Sequence, residues 1–67
     1  MIIVSQDRKK LEEVRSARII ECEGDYIVNC SISSYGVYKT EERAKEVLAE
    51  IIDAYHHCLD VYYMPKE

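Results

Sequence analysis

The sequence predicts a small α+β domain, in which an antiparallel sheet of four or five short strands is packed by one amphipathic helix. Short β-branched runs bounded by turn residues occupy the first half of the chain. Apolar residues then recur every three or four positions near residues 41–57, and a last strand-like run ends at Pro65. The 67 residues are predicted to form one domain, 1–67, because a second would lack a core of its own.

The N-terminal segment is predicted to begin with a strand at residues 1–5, followed by a polar turn at residues 6–9. Residues 11–18 are compatible with two structures. Leu11 and Val14 have the spacing of a helical turn, but the stretch is too short for a stable isolated helix and can equally be a return strand. Both alternatives stay open at this point.

The clearest β signal is a hairpin formed by residues 18–23 and 26–32. Gly24-Asp25 fits a two-residue turn with glycine at its first central position, which sets Cys22 opposite Ile27.

This pairing gives the hairpin two faces. The face expected to cover the core carries Ala17, Ile19, Tyr26, Val28, Cys30 and Ile32, with Glu21 as a charge among them. The other face carries Arg18, Ile20, Cys22, Ile27, Asn29 and Ser31. Half of this second face is apolar, which is more than a solvated sheet face requires, so we expect self-association to bury it.

The three cysteines are Cys22, Cys30 and Cys58. An odd number without a secretory signal predicts reduced thiols in a cytosolic protein. Since the hairpin places Cys22 and Cys30 on opposite faces, we expect no disulfide between them. We interpret all three as buried, small apolar residues.

The most secure prediction is the helix. Residues 31–34 and Gly36 indicate a turn or bulge before a short strand at residues 37–39. Thr40 then caps a helix with acidic residues in its first turn. Its predicted core stripe is Ala44, Val47, Leu48, Ile51, Ile52, Tyr55 and Leu59. The helix is expected to fray at residues 56–58, and a short strand at residues 61–64 follows.

The net charge and the hydrophobicity of the chain argue against two classes of partner, nucleic acids and membranes. Nine Lys and Arg against thirteen Asp and Glu give a net charge of −4, which argues against a general nucleic-acid binder. No stretch approaches the length of a membrane helix, so no membrane partner is predicted.

The residues that resemble catalytic or metal-binding motifs do not have the required spacing. Adjacent side chains in His56-His57-Cys58 diverge around a helix and cannot converge on one ion. No nucleophile pair and no glycine-rich phosphate loop is apparent. We therefore predict no enzymatic activity, no metal and no cofactor.

The aromatic residues are more informative, since the chain has six Tyr but no Phe or Trp. Tyrosine suits stacking on a base or packing in an interface, and arginine suits phosphate oxygens. The candidate stacking residues are Tyr35, Tyr38, Tyr62 and Tyr63, and the candidate phosphate ligands are Arg15, Arg18, Lys39 and Arg43. The alternative is that the tyrosines rim the core and the cations are ordinary surface charges.

Three segments carry a resemblance to a known group. They are the opening Met1-Ile-Ile-Val-Ser-Gln-Asp7, the block Gly36-Val-Tyr-Lys-Thr-Glu-Glu-Arg-Ala-Lys-Glu-Val-Leu48 and the ending Val61-Tyr-Tyr-Met-Pro65. They resemble short proteins carried by phages, prophages and mobile elements of Gram-positive bacteria. The likeness covers both ends and the helix. This group has no agreed enzymatic function.

The resemblance implies a counter-defence role in the cytoplasm of a bacterial host. The expected function is a homo-oligomeric sponge, most simply a dimer, that sequesters a nucleotide immune signal of the cyclic-dinucleotide or ADP-ribose type. A chain this short has little room for a closed cavity, so the site is expected at a subunit interface. The alternative is a small inhibitor that binds a host defence protein directly.

Overall fold

The computed structural model describes residues 1–31 and 33–67. Its elements there are β1 (Ile2–Val4), β2 (Leu11–Glu13), β3 (Ala17–Cys22), β4 (Asp25–Cys30), β5 (Ser33–Tyr38), α1 (Glu41–His56) and β6 (Val61–Tyr63). Two three-stranded sheets result: an N-terminal sheet of order β2-β1-β6 and a central sheet of order β3-β4-β5. The α+β class, the helix and the C-terminal strand are confirmed. The strands divide between two small sheets.

The N-terminal sheet settles the ambiguous segment after the first turn. Leu11 pairs with Val4 in an antiparallel register, so this part of the chain is a return strand. On the other side of β1, strand β6 runs parallel to it, with Val4 beside Tyr63. A parallel partner requires a long crossover, and the central sheet and α1 form that connection.

The hairpin of the central sheet exists, but its predicted register is wrong by two residues. Cys22 lies opposite Asp25, so Glu23 and Gly24 are the central turn residues. Their φ angles are +51° and +85°. Two positive φ angles are the signature of a type I′ turn, whose twist matches that of the flanking strands. A shift of two residues leaves the faces of the strands unchanged.

The cysteines differ in burial. Cys30 is fully buried and faces the core, whereas Cys22 and Cys58 are exposed free thiols. The prediction that all three are buried is therefore wrong for two of them, because Cys22 lies on the outer sheet face and Cys58 lies just beyond the helix. The predicted inward position of Ile32 lies outside the described residues.

Helix α1 has defined signals at both ends. The Thr40 Oγ1 atom accepts a hydrogen bond from the Arg43 backbone N–H at 3.1 Å, as its capping role predicts. At the other end, Cys58 takes a left-handed φ of +55°. The backbone N–H of Leu59 then donates to the Ala54 carbonyl at 3.1 Å, the pattern of a Schellman motif.

The hydrophobic core lies between α1 and the two sheets. It contains Ile3, Val28, Cys30, Tyr35, Tyr38, Ala44, Val47, Ile51 and Met64. The predicted helix stripe is wider than the part that the core covers. Ile52, Tyr55 and Leu59 are 54%, 72% and 52% exposed. Their predicted place in the core is wrong, because the sheets leave this side of α1 uncovered and Leu59 lies beyond the end of the helix.

Gln6 joins the two sheets. Its backbone N–H donates to the Tyr35 carbonyl at 2.7 Å. Its side-chain amide accepts from the Val37 N–H at 2.9 Å and donates to the Lys66 carbonyl at 2.9 Å. The amide thus pairs with the edge of β5 as a neighbouring strand would, and it fixes the C-terminal segment beside that edge.

Among the residues that the structure describes, no helix is both long and apolar enough to cross a membrane.

Candidate functional site

Two concave surfaces lie at opposite ends of α1. The larger, which we call the helix groove, has a volume of about 770 Å³. It runs between the C-terminal half of α1, the start of β1 and the β2–β3 connection. Its lining residues are Met1, Ile3, Glu13, Val14, Arg15, Ser16, Ala17, Leu48, Ile51, Ile52, Tyr55 and His56.

The helix groove is lined by apolar residues together with a few polar and charged ones. Arg15 is one of the charged residues, and within residues 1–31 and 33–67 it makes no ion pair or side-chain hydrogen bond. The nearby Glu13 carboxylate is engaged by the Met1 amino group at 2.8 Å, and this contact lowers the pKa of that carboxyl. Tyr55 lines the groove from α1 and is 72% exposed. The groove is thus lined by an accessible aromatic ring and by Arg15, whose charge also acts on the Glu13 carboxylate.

The smaller surface, the N-cap depression, lies at the start of α1 and has a volume of about 470 Å³. It brings together three of the sequence-predicted residues, Tyr38, Lys39 and Arg43. Lys66 adds a further cation to its lining.

Two of those three predicted residues are already engaged. The Arg43 Nε atom donates to the Glu67 carbonyl oxygen at 2.8 Å, and its guanidinium lies 3.0 Å from the Glu46 carboxylate. The Tyr38 ring is 2% exposed, and its hydroxyl donates to the Pro65 carbonyl at 2.7 Å. The N-cap depression therefore keeps the positive charges of Lys39 and Lys66, but among its lining residues it offers no exposed tyrosine ring on which a base could stack.

Tyr35 is also removed from the candidate stacking residues by its burial. Its ring is 2% exposed, and the Lys10 ammonium lies 4.9 Å from the ring centroid. The Tyr35 hydroxyl is buried without a hydrogen-bond partner in the described part of the chain. Burial, and to a smaller extent the nearby Glu12 carboxylate, raise the pKa of this hydroxyl.

Tyr35 and Tyr38 are three residues apart and would face opposite sides of a regular strand. The register shift between Val28 and Asn29 pairs these two residues with Gly36 and Ser34, which leaves Tyr35 as the extra residue of a bulge and allows both rings to enter the core.

The adjacent Tyr62 and Tyr63 have different environments, as the alternation of a strand requires. Tyr62 is half-buried, and its hydroxyl donates to the Glu50 carboxylate at 2.7 Å. Tyr63 is 60% exposed, and the Arg8 guanidinium lies 5.4 Å from its ring centroid. Neither ring lines the helix groove.

Arg18 projects from the outer face of the central sheet, away from α1. It is exposed, and its strand partner Asn29 lies beside it. On the same face, Ile20, Ile27 and Val37 are paired across the three strands. Ile20 and Val37 are 40% and 44% exposed. The half-apolar outer face that the sequence predicted is therefore present.

The eight predicted residues thus do not form one site. Of the eight, Arg15 lines the helix groove. Tyr55 also lines it but is not among the eight, because its helical spacing predicts a place in the core. The available signal is the breadth of the helix stripe around the helix axis, because Leu48, Ile52 and Tyr55 all lie to one side of Ala44, Val47 and Ile51.

Asp53 and His57 are four residues apart, the spacing at which two side chains on a helix could share one ion. Among the described residues, no group of three or more His, Cys, Asp or Glu is placed to hold an ion. The His57 Nδ1 atom instead lies 2.8 Å from the backbone carbonyl of Asp53.

The buried tyrosines predict a loss of stability in alkali. Burial raises the pKa of Tyr35 and of Tyr38 to about 12, above the ordinary value of about 10. The folded state therefore favours the neutral phenols. This contribution is complete below about pH 10 and is lost as the pH rises to about 12. We expect the urea midpoint, followed by circular dichroism, to be lower at about pH 11 than at about pH 8.

Tyr35→Phe should reduce this alkaline loss, because it removes one buried ionisable hydroxyl. Tyr55→Phe, on an exposed ring, is the matched control and should leave the pH dependence as it is. An equal alkaline loss in Tyr35→Phe and wild type would contradict the assignment.

Comparisons with known proteins return no matching family model, curated protein or solved structure for this chain. The fold and site therefore define the chain only as a small α+β protein with an open apolar groove.

Proposed function

We propose that this protein is a non-enzymatic binding protein whose ligand site is the helix groove. The observation that carries the proposal is that Arg15, Tyr55 and several apolar residues line one groove. The helix groove has a volume of about 770 Å³, which falls within the range of about 300–1,000 Å³ typical of small-molecule sites.

The ligand that suits these groups is a nucleotide. An exposed tyrosine ring offers a stacking surface for a base, and a free guanidinium offers a bidentate fork for phosphate oxygens. The apolar lining excludes water from part of the ligand. These features favour the sponge expected from the resemblance: a homo-oligomeric phage counter-defence protein that holds a cyclic-dinucleotide or ADP-ribose type of signal in the host cytoplasm.

This function is tested by measuring whether the protein removes a nucleotide from solution and whether the nucleotide is recovered intact when the protein is denatured. The pure protein is incubated with a cyclic dinucleotide and, separately, with ADP-ribose, and the filtrate is assayed by chromatography. The retained protein is then denatured and assayed again. A sponge removes the nucleotide and returns it intact. Return of a different product means catalysis, and no removal of either probe contradicts the nucleotide proposal.

Arg15→Ala should weaken retention of the nucleotide by about tenfold, the effect of losing one charge-assisted phosphate contact. Arg18→Ala is the matched control, because it removes the same charge from the outer sheet face. Isothermal titration calorimetry measures both. If Arg15→Ala and wild type bind the nucleotide with equal affinity, the phosphate is not bound in the helix groove.

A second function is favoured by one specific observation. Ile52 and Tyr55, which line the groove, and Leu59, which follows the helix, are exposed apolar side chains, and exposed apolar surface can bind proteins. An inhibitor of a host defence protein would form a stable complex with that protein and would retain no nucleotide.

A further inference from the structure

Residues 64–67, which we call the tail strap, are held to the rest of the molecule by their main chain. Each of their four carbonyl oxygens accepts a hydrogen bond of 2.7–2.9 Å from a side chain. The donor and acceptor pairs are Arg8 to Met64, Tyr38 to Pro65, Gln6 to Lys66 and Arg43 to Glu67. Beyond the buried Met64, the side chains of Lys66 and Glu67 are exposed. The strap is therefore bound through its carbonyl groups.

Gln6 connects this strap to the edge of β5. Its backbone N–H donates to the Tyr35 carbonyl at 2.7 Å, and its side-chain amide accepts from the Val37 N–H at 2.9 Å. The same amide donates to the Val37 carbonyl at 3.2 Å. A neighbouring strand would otherwise bind these three main-chain groups. Because the amide also donates to the carbonyls of Pro65 and Lys66, one residue both closes the edge and holds the strap.

The β5 edge lacks the charged side chains that keep an open sheet edge from pairing. Its sequence is Ser-Ser-Tyr-Gly-Val-Tyr, whereas β3, at the other edge of the central sheet, carries Arg18 and Glu21. Charged side chains on an edge strand hinder the addition of a further strand, and an uncharged edge needs another cover. For β5 that cover is Gln6 together with the tail strap, which we call the edge guard.

We infer that the β5 edge is a latent pairing surface for a second copy of this chain, and that the edge guard keeps it closed. With the guard displaced, the β5 strands of two copies can pair antiparallel about a two-fold axis, which is a self-complementary contact. No like charges would meet along β5, because the strand has none.

The outer face of the central sheet favours a second copy as the occupant. Val37 is 44% exposed and pairs with Ile27, which in turn pairs with Ile20. Pairing of two β5 strands would join the two central sheets into one sheet of six strands and continue this apolar row across it. The surface is separate from the proposed ligand site, since neither Gln6 nor the tail strap lines the helix groove.

Gln6→Ala opens the guard, because it removes the amide from both Val37 and the strap. Hydrogen exchange, followed in dilute protein, should accelerate about tenfold or more at the Val37 amide. At higher concentration, sedimentation velocity should show assemblies larger than those of wild type. The matched control, Tyr62→Phe, removes a 2.7 Å hydrogen bond to Glu50 and should change neither measurement. Unchanged exchange at Val37, or faster exchange without larger assemblies, would overturn the inference.

Gln6→Glu separates the strap from the edge. Its carboxylate still accepts from the Val37 N–H, but it cannot donate to the carbonyls of Pro65 and Lys66. We expect the strap to loosen, the Val37 amide to stay protected and no larger assemblies to form, because a charge now lies on the edge. Assembly of Gln6→Glu to the same extent as Gln6→Ala would show that an open edge is not the cause, and would overturn the inference.

Wild-type protein provides a measurement that does not depend on the folding of a variant. The Val37 amide should be protected from hydrogen exchange although it faces the edge of the sheet, because the Gln6 side chain binds it. Exchange at the rate of an unstructured amide would mean that the edge is open in the native state, and would contradict the inference.

Discussion

Met64→Ala is expected to lower the free energy of unfolding by about 2–5 kcal/mol, the usual cost of a large-to-small change in a core. Met64 is fully buried, and its backbone N–H donates to the Val4 carbonyl at 3.0 Å. A chain of 67 residues has a total stability of roughly 3–10 kcal/mol. The loss should therefore be visible as a large shift of the urea midpoint or as unfolding at room temperature.

Met64→Leu is the control for this change. It keeps most of the volume and should cost less than about 1.5 kcal/mol. Equal stability of Met64→Ala and wild type would mean that the C-terminal segment is not packed into the core.

Gly36→Ala is expected to cost about 1–3 kcal/mol by overpacking the same region. A Cβ atom at this position would lie 2.8 Å from the Tyr38 Cε2 and Oη atoms and 2.9 Å from the Met64 Cε atom. Both neighbours are almost fully buried, so they can move only by disturbing the core. Urea unfolding measures the cost.

Gly24→Ala separates crowding from backbone strain. Gly24 has a φ of +85°, yet nothing lies within 4 Å of the added Cβ. Its expected cost of about 1 kcal/mol comes from the left-handed backbone alone.

The two core changes should not be additive. In a Met64→Ala background the added Cβ of Gly36→Ala has one close neighbour fewer, so its cost should fall. Additive costs would show that Gly36 and Met64 do not share one contact.

The sequence predicted those elements whose signals are local. Thr40 and the acidic first turn define the start of α1, and the spacing of Ala44, Val47 and Ile51 defines its buried side. The faces of the hairpin were predictable because an even shift in register preserves them.

The remaining features depend on contacts between distant segments. The turn at residues 23–24 differs from the predicted one because glycine can occupy either central position of a tight turn, so local sequence did not fix the register. The exposure of Tyr55 depends on the width of sheets assembled from both ends of the chain. The helix groove is formed by three segments far apart in sequence, and no local pattern predicts it.

The central claim is that the helix groove binds the ligand, and amide chemical-shift mapping tests it most directly. Labelled protein is titrated with ADP-ribose and, separately, with a cyclic dinucleotide. The proposal predicts that the shifts change mainly at residues 14–17 and 48–56. Changes confined to residues 37–43 and 66–67 would place the ligand in the N-cap depression and contradict it, as would the absence of changes with both probes.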